Sequence, residues 1–393
     1  MFSGPLLEID LEKIKQNAAR VVERCHRRGI KVLGVSKGFN AIPEIVSAMF
    51  EGGLDGLADA RLENILDLRK MGFQQEVTLL RIPRLSNVRL VTRYVNTSVN
   101  SELVTIRALA RSAQELKKIH NVILMVDVGD LREGVMPEQV LETAHQICAL
   151  RGVRLLGLGT NMGCYGGILP TKNNLGVLLE LAEDIENLLG VKLEVISGGG
   201  TSSLLLVENG TVPPGINQIR VGEGILLGTD TTHDREISWL HQDAFRLRAE
   251  VIELKAKPSI PIGTVGRDAF GNIPSFVDRG IRKRAILALG KQDVPPEGIR
   301  PVDENVHILG GSSDHLIVDV TDSERKVEVG SDIAFFPNYP GLLYLSGSRY
   351  VKKIFKGGKQ CWNWYRENSQ SASGASSRLK PRLSAAEALT SGR

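Results

Sequence analysis

The chain has 393 residues, of which 42% are apolar and 24% charged, as in an ordinary globular protein, and no apolar run approaches the ~18 residues that a transmembrane helix requires. The formal net charge is +4, but residues 356–393 carry seven basic and two acidic side chains, a charge of +5 that leaves −1 for residues 1–355. A body so close to neutrality argues against nucleic-acid binding, which depends on a basic surface.

The amino-terminal residues show no basic stretch followed by an apolar core and a cleavage site, so we expect no signal peptide. The four cysteines, Cys25, Cys148, Cys164 and Cys361, share no CxxC spacing. Their spacing favours reduced thiols in a cytoplasmic protein. Residues 358–393 are rich in Ser and Ala without apolar periodicity, which predicts a disordered tail.

Strand-like and helix-like segments alternate along the first part of the chain. An amphipathic helix over about 11–28 is followed by a buried strand, KVLGV, at 31–35. Eight such β units in ~230 residues predict an α/β fold, a (β/α)8 TIM-type barrel over residues 1–242. An open doubly wound sheet would require a GxGxxG turn, which VSKGFN is not. The other predicted strands are 56–60, 77–82, 96–99, 122–128, 154–160, 192–197 and 218–221, with helices at 42–51, 102–119, 137–150 and 175–189.

The pattern changes near residue 243. Short strand candidates such as AFRLRAEVIELK, RAILALG and HLIVDVT follow one another with turn residues between them and no long helix. This pattern is typical of antiparallel strands. The sequence therefore predicts a smaller, all-β second domain over residues 243–357.

Four features fall at or near the carboxyl ends of predicted barrel strands, where barrel enzymes carry their chemistry. Lys37 follows the first strand, Arg132 the fifth and the run ISGGGTSSL (196–204) the seventh, while Arg220 lies in the eighth. A lysine there is either a solvated strand flank or an amine held for chemistry, and each arginine alone is more typical of a surface ion pair. Their common location favours a site.

The glycine-rich run suggests a phosphate site, although taken alone it is equally typical of a flexible turn with a Ser/Thr cap. Its glycines allow close backbone approach, and the helix it opens presents unpaired N–H groups and a positive dipole end. The segment VGEGILLG supplies further amides at the same end. The expected ligand-binding residues at this end are Ser197, Gly200, Thr201, Ser202, Gly222 and Glu223, and the Gly224 amide adds a further donor.

A lysine amine beside a phosphate site suits pyridoxal phosphate, whose aldehyde forms an imine with a lysine. The order of Lys37, Arg132, Thr201 and Arg220 resembles the alanine-racemase-like, fold-type III pyridoxal-phosphate enzymes over about residues 5–355. Within that family, SSDHLIVDV and GKQD are most similar to the ornithine/lysine branch. The resemblance implies an amino-acid racemase acting on lysine, ornithine or arginine, with pyridoxal phosphate as cofactor and no metal.

The resemblance also implies roles. Lys37 corresponds to the imine-forming lysine and catalytic base, Arg132 to the arginine near the phenolic oxygen, and Arg220 to the arginine facing the pyridine nitrogen. Arginine does not act as an acid near neutral pH, so that nitrogen stays unprotonated and proton exchange is favoured over transamination. Asn161 falls where the family has a histidine behind Arg220. Tyr350 is nearest to a phosphate-contacting tyrosine.

Racemisation needs an acid/base group on each face of the substrate. Alanine racemase takes the second from a tyrosine of the partner's β domain, but the matching segment, AILALGKQDV, has none. Because a domain leaving the barrel would have to reach back over its own mouth, we expect a homodimer with shared active sites. The candidates for the second base are Lys291, Asp293, Asp314 and His315.

Two other functions share this barrel. A pyridoxal-phosphate homeostasis protein without turnover would lack residues 243–355, and a D-threonine aldolase or D-serine dehydratase would need a metal, for which SSDHLIVDV offers a single His-Asp pair. A non-enzymatic scaffold would explain neither the phosphate loop nor Lys37. The carboxylates considered for reading a cationic substrate side chain are Asp130, Glu223, Asp230 and Asp314.

Overall fold

The computed structural model describes residues 4–357; the predicted tail, 358–393, lies outside the described residues. All eight predicted barrel strands form, and the last pairs with the first to close a parallel barrel. The predicted fold class is confirmed. The barrel strands are β2 (Lys31–Val35), β3 (Gly56–Asp59), β4 (Val77–Leu79), β5 (Thr97–Asn100), β6 (His120–Met125), β7 (Val153–Thr160), β8 (Val195–Gly198) and β9 (Gln218–Val221); β1 (Leu6–Asp10) precedes them outside the barrel.

Helices cover the outside of the barrel and bury an apolar stripe against it. In the first helix, Ile14, Ala18 and Val21 are fully buried, and the Asp10 carboxylate caps its start by accepting from the Lys13 N–H at 3.0 Å. The helix that the glycine-rich run was expected to open is present at residue 204, whereas the short helices near residues 62, 88 and 223 were not predicted, because fewer than three turns leave little periodicity. The helices are α1 (Leu11–His26), α2 (Pro43–Glu51), α3 (Leu62–Lys70), α4 (Val88–Tyr94), α5 (Leu103–Glu115), α6 (Val140–Cys148), α7 (Lys172–Leu189), α8 (Leu204–Asn209) and α9 (Glu223–Leu227).

A two-stranded hairpin, β10 (Thr229–Asp230) and β11 (Arg235–Glu236), follows the barrel, and an antiparallel sheet then forms the second domain. The pattern of alternating burial along β12 (for example Leu247, Ala249 and Val251 inward) fits a sheet with one covered face. The sheet strands are β12 (Phe245–Pro258), β13 (Ile281–Leu287), β14 (Ile299–Pro301), β15 (His307–Gly311), β16 (Leu316–Asp319), β17 (Asp332–Pro337) and β18 (Lys352–Lys356), in the order β14-β17-β12-β13-β16-β15.

Two features of the second domain were not anticipated from the sequence. Strand β1 belongs to its sheet, antiparallel to β12 and parallel to β18, although residues 1–242 were assigned to the barrel. A helix, α10 (Tyr339–Gly347), follows β17, with the Asn338 side chain accepting from the Gly341 N–H at 3.0 Å and a proline in its first turn. Among residues 4–357 no helix combines the length and apolar character needed to cross a bilayer.

Helix α10 packs on the carboxyl end of the barrel, against the 3-10 turn Lys37–Phe39. A Cβ atom on Gly38 would lie 3.3 Å from Cε2 of Tyr339. The second domain therefore does reach back to the mouth of its own barrel. The expectation that such a return would be geometrically awkward is wrong for this helix.

Candidate active site

Lys37 lies at the carboxyl end of β2, in the first position of a 3-10 turn, and its side chain faces a cavity of about 430 Å³. Within residues 4–357 its amine makes no hydrogen bond or ion pair. Burial lowers the pKa of Lys37; Arg132 and Arg220 lower it further, whereas Cys164 and Asp59 raise it. A half-buried, unpaired amine with a lowered pKa suits a base or nucleophile.

The cavity is lined by residues from the ends of seven barrel strands or the loops that follow them. The lining holds four cationic groups and one carboxylate, Glu133, which favours an anionic ligand. Its volume is within the range of about 300–1,000 Å³ usual for small-molecule sites. The lining residues are Lys37, Ala60, Leu80, Arg81, Ile82, Val99, Met125, Arg132, Glu133, Asn161 and Arg220.

Arg220 is buried in β9 and points into the cavity. Its Nη2 donates to the Thr160 carbonyl oxygen at 2.6 Å, and Nη1 lies 3.9 Å from the Met125 sulfur. Burial lowers the pKa of Arg220 to about 10, with a smaller lowering from Arg132 and a raising from Glu133. At neutral pH it therefore stays a charged hydrogen-bond donor inside the barrel.

Arg132, in the loop after β6, is held from three sides. Its guanidinium pairs with the neighbouring Glu133 carboxylate and donates to the Cys164 sulfur at 2.9 Å. With its amide oxygen turned inward, Asn161 accepts from both Nη atoms of Arg132 at 3.3 Å. Asn161 therefore supports Arg132 rather than Arg220, which corrects the partner inferred from the sequence; the Thr160 carbonyl takes the place behind Arg220.

The glycine-rich run forms a 3-10 turn, Thr201–Ser203, that leads into α8, and α9 begins beside it. The Gly224 N–H donates to Thr201 Oγ1 at 3.2 Å, so the two helix starts face the same space. A Cβ on Gly222 would lie 3.1 Å from the Val35 Cβ, so glycine allows this backbone to lie close beside the strand that leads to Lys37. Ser197 and Ser202 are buried there, and Ser197 Oγ has no partner among the described residues.

Glu223 opens α9, but its carboxylate does not face a phosphate position. It accepts from Thr229 Oγ1 at 2.7 Å and from the N–H and Oγ1 of Thr231 at 3.0 and 2.5 Å. Burial raises the pKa of Glu223 against the lowering from these hydrogen bonds. Its side chain braces the β10–β11 hairpin, and only its backbone remains near the helix start.

The predicted second bases lie on the second domain, away from the cavity lining. Lys291 Nζ lies 3.7 Å from the centre of the Phe270 ring, and Asp314 accepts from Gln292 Nε2 at 3.1 Å. His315 is exposed beside Ser312. Asp293 is buried and accepts from Ser348 Oγ at 3.1 Å and from the Gly290 N–H at 3.3 Å, so its carboxylate is already occupied.

Tyr350 does not come to the site: it is 56% exposed, and its hydroxyl accepts from Arg349 Nη2 at 2.7 Å. Tyr339 packs instead against Gly38, in the turn that carries Lys37. Burial raises the pKa of Tyr339 to about 12, helped by Glu223, Cys164 and Asp59. The available sequence signal was NYPG, an Asn cap followed by a proline, which marks a helix start that would carry this tyrosine.

Of the carboxylates considered for substrate reading, none lines the cavity within the described part of the chain. Asp130 accepts the N–H groups of Cys164, Tyr165 and Ile168 at 3.1–3.4 Å and so shapes their loop. Asp230 accepts from His233 and Arg235 in the hairpin. Sequence reasoning missed Glu133, Arg81 and Cys164; only the adjacency of Glu133 to Arg132 could have indicated any of them.

These residues fit pyridoxal phosphate. The unpaired Lys37 amine, the close approach of Gly222 to the strand before it, and two facing helix starts provide an imine-forming group near N–H donors for a phosphate. Arg220 provides a buried donor for a ring nitrogen. No group of three or more His, Cys, Asp or Glu side chains that could hold a metal ion occurs among residues 4–357.

Comparisons with known proteins agree with this geometry. A family model described as "Alanine racemase, N-terminal domain" matches residues 9–230. The chain is 42% identical over 352 residues to a lysine racemase of Thermotoga maritima, covering 90% of this chain and 98% of the relative. It is 41% identical over 350 residues to an ornithine racemase of Acetoanaerobium sticklandii, covering 89% and 99%.

The fold is also similar to that of solved alanine racemases. The crystal structure of an alanine racemase from Bartonella henselae with covalently bound pyridoxal phosphate superposes with a TM-score of 0.69 at 17% identity, covering 90% of this chain and 100% of that one. That likeness supports the barrel and second domain, and the family model and the two racemases carry the assignment. The chain belongs to the alanine racemase family of pyridoxal-phosphate-dependent amino-acid racemases.

Proposed function

We propose that this racemase acts on basic amino acids, with lysine and ornithine preferred over arginine. The observation that carries the proposal is the 41–42% identity, over almost the whole length of each relative, to a lysine racemase and an ornithine racemase. The cavity supports it: Leu80, Ile82 and Val99 offer an apolar wall for a methylene chain, and Glu133 offers a carboxylate for a terminal ammonium.

We further propose the roles of the chain's own residues. When bound, pyridoxal phosphate supplies an electron sink for the carbanion left by α-proton removal. Lys37 holds the cofactor and exchanges the α-proton on one face; its lowered pKa increases the fraction of neutral amine near pH 7. Arg220 hydrogen-bonds the ring nitrogen without offering an acidic proton.

The phosphate is assigned to the two facing helix starts. The backbone at Thr201, Ser202 and Gly222 supports this assignment, since the first amides of a helix lack intrahelical acceptors. Arg132, held by Glu133 and Asn161, lines the cavity with Lys37 and is assigned to the phenolic oxygen. The assignment gives each cationic lining group near Lys37 an anionic or electron-rich partner.

The second proton carrier is assigned to a partner subunit, so the active enzyme is proposed to be a homodimer with shared sites. Within residues 4–357 the cavity lining includes no residue from the chain's own second domain. Lys291, Asp314 and His315 are nevertheless available on that domain. Of these, Lys291 is the preferred candidate, because it packs against a segment with many exposed apolar side chains.

That element is the segment 259–281, here called the apolar loop. Its large apolar side chains include Ile262, 92% exposed, and Val277, 70% exposed, a concentration that marks an interaction surface. Lys291 packs over its Phe270. A second copy's barrel mouth is the proposed occupant. The exposed apolar residues of the loop are Ile260, Ile262, Val265, Phe270, Ile273, Phe276, Val277 and Ile281.

We place the enzyme in the cytoplasm on the chemistry of its thiols. Cys25, Cys148 and Cys164 carry free thiols, which suits a reducing compartment. Cys361 lies outside the described residues.

The alternatives considered from the sequence are not favoured. The relatives matched over 98% and 99% of their own lengths are racemases, and the chain carries the second domain that a homeostasis protein would lack. The direct test is to incubate the purified enzyme with single L-amino acids and follow the D-form by chiral chromatography. Turnover of lysine and ornithine well above alanine supports the proposal; a preference for alanine would contradict it.

A further inference from the structure

A buried polar pair joins two barrel strands directly beneath the catalytic lysine. Ser36 and Asp59 are both fully buried, and Ser36 Oγ donates to Asp59 Oδ2 at 2.5 Å. The parallel register, in which Val35 pairs with Ala58, places the two residues opposite each other. A carboxylate is costly to bury, so the presence of Asp59 at the end of a barrel strand requires an explanation.

The carboxylate of Asp59 is fixed on its other side by the start of α3. The Arg61 N–H donates to Oδ1 at 2.6 Å, and Asn64 Nδ2 lies 3.2 and 3.1 Å from the two oxygens. Four hydrogen bonds leave the group little freedom to rotate. The Ser36 hydroxyl, which donates to this carboxylate, is therefore also held in place.

Ser36 in turn holds the turn that carries Lys37. The Ser36 carbonyl accepts from the Phe39 N–H at 3.2 Å and the Ala41 N–H at 3.1 Å. Asn40 and Ala41 both have φ of 50°, a left-handed conformation that costs a non-glycine residue about 1–2 kcal/mol. Such strain persists only where the surroundings over-determine it, and the anchored Ser36 is part of those surroundings.

We propose that Asp59, acting through Ser36, is the positioning residue for Lys37. Because Asp59 ends the strand beside the one that leads to Lys37, its carboxylate also acts on the Lys37 amine, where its negative charge favours the protonated form. The inference rests on the proposed role of Lys37 as the proton-exchanging base. Asp59 contacts neither substrate nor reacting atoms; it acts on the backbone before Lys37 and through the electric field at the amine.

The charged and titratable groups around Lys37 come from several elements. Arg132 and Cys164 belong to loops after β6 and β7, Arg220 to β9, and Tyr339, near Gly38, to α10. Burial raises the pKa of Asp59, while hydrogen bonds from Ser36, Arg61 and Asn64 and the charge of Lys37 lower it. Asp59 is the carboxylate that raises the pKa of Lys37, and Glu133, which pairs with Arg132, lines the same cavity.

The test uses Asp59→Asn, which removes the charge but keeps an acceptor for Ser36, and Ser36→Ala, which removes the link but keeps the charge. The full chain, freed of cofactor, is labelled competitively with an amine reagent across a pH series, and the Lys37 peptide is quantified by mass spectrometry. In Asp59→Asn the labelling midpoint of Lys37 should move to lower pH, because the protonated amine loses a stabilising charge. In Ser36→Ala it should move less.

The loaded enzymes give the second measurement. We expect kcat to fall about 10- to 100-fold in both variants, as for a misplaced catalytic group, with KM changed less than about two-fold. Asp55→Asn is the matched control: Asp55 accepts from the Val32 N–H at 2.7 Å at the opposite end of the same two strands, and neither measurement should change.

An unchanged Lys37 midpoint in folded Asp59→Asn would overturn the electrostatic part of the proposal. A kcat of Ser36→Ala within two-fold of wild type would overturn the positioning part. This test does not depend on Asp59→Asn, so it still applies if that variant fails to fold. The labelling does not require Lys37 to be catalytic. Suppose that Asp59→Asn shifts the labelling midpoint of Lys37 as expected, but the Lys37→Ala enzyme still racemises. Lys37 would then be rejected as the base, while the effect of Asp59 on the Lys37 amine would stand.

Discussion

Tyr339 of the second domain lies against Gly38 of the barrel, one residue after Lys37, where a Cβ on the glycine would meet the tyrosine ring at 3.3 Å. The ring is largely buried, and burial raises the pKa of its hydroxyl to about 12. The hydroxyl therefore stays a neutral donor throughout the working pH range. It lies on the side of Lys37 toward α9, since Leu226 of that helix contacts the same glycine position.

We propose that the Tyr339 hydroxyl donates to the cofactor phosphate. Tyr339→Phe should then weaken binding of pyridoxal phosphate about ten-fold or more, because a hydrogen bond to a charged group is worth about 1.5–3 kcal/mol. Cofactor affinity is measured by titrating the cofactor-free chain. Tyr350→Phe is the control and should bind as wild type, since Tyr350 bonds to Arg349 at the surface. Equal weakening in both variants would contradict the assignment of Tyr339.

Lys37→Ala should lose the visible absorbance of the lysine-linked cofactor and nearly all turnover. No other lysine lines the cavity among the described residues. Lys31→Ala removes an exposed amine from the other end of the same strand and should leave both unchanged. Borohydride treatment followed by peptide mapping checks the link; cofactor still fixed to the Lys37→Ala chain would reject the assignment.

Glu133→Gln should reduce kcat/KM for lysine by about ten-fold or more while changing that for alanine less, if its carboxylate accepts the terminal ammonium. Glu133 also pairs with Arg132. If the change only displaces Arg132, kcat/KM should fall equally for lysine and alanine. The ratio of the two values separates these outcomes. Glu138→Gln, a nearby carboxylate outside the lining, should leave the ratio unchanged.

Ile262→Asp combined with Val277→Asp should break the proposed homodimer and abolish racemisation while the cofactor stays bound. Both side chains are largely exposed on the apolar loop, so the change should not disturb the fold. Ile119→Asp is the control, because Ile119 is 71% exposed on the barrel far from the loop in sequence. Light scattering gives the mass; a wild-type mass with full activity would contradict the proposed interface.

Complementation tests whether the sites are shared. A chain with Lys37→Ala mixed with one carrying Lys291→Ala should regain activity, because one of the two sites in a mixed dimer has every intact group. Inactive mixtures, with exchange demonstrated, would leave Asp314 and His315 as the next pair to change. Activity already present in Lys291→Ala alone would exclude Lys291.

Acid should weaken the barrel through His120. Burial lowers the pKa of His120 to about 4 from its ordinary 6.5, so above pH 6.5 both folded and unfolded chains are neutral there. As the pH falls from 6.5 towards 4, the unfolded chain binds the proton first and about 3 kcal/mol of stability is lost. In denaturant unfolding, His120→Gln should lose about 3 kcal/mol less free energy of unfolding than wild type between pH 6.5 and 4. His145→Gln, at an exposed position, should lose as much as wild type.

The sequence predicted the barrel because apolar strands of four to eight residues recur between amphipathic helices, a local signal. It predicted Lys37, Arg132, Arg220 and the glycine-rich run because each falls at or near a strand end. It did not predict Tyr339, whose position depends on how a second domain folds back over the barrel. The partner of Asn161 was also mistaken, because one residue along a loop decides which arginine its amide meets.

The register of β1 has a consequence for how the chain folds during synthesis. Leu6–Asp10 lies between β12 and β18 in its sheet, so Leu6 can pair with Lys352 only after almost the whole of residues 4–357 has been synthesised. The barrel between them can close first, as its strands and helices leave the ribosome in order. The second domain becomes complete only after the last strand emerges, which makes that final parallel pairing a slow, long-range step. Cutting the chain between the domains would leave β1 as an unpaired edge on the barrel fragment, and such edges promote aggregation.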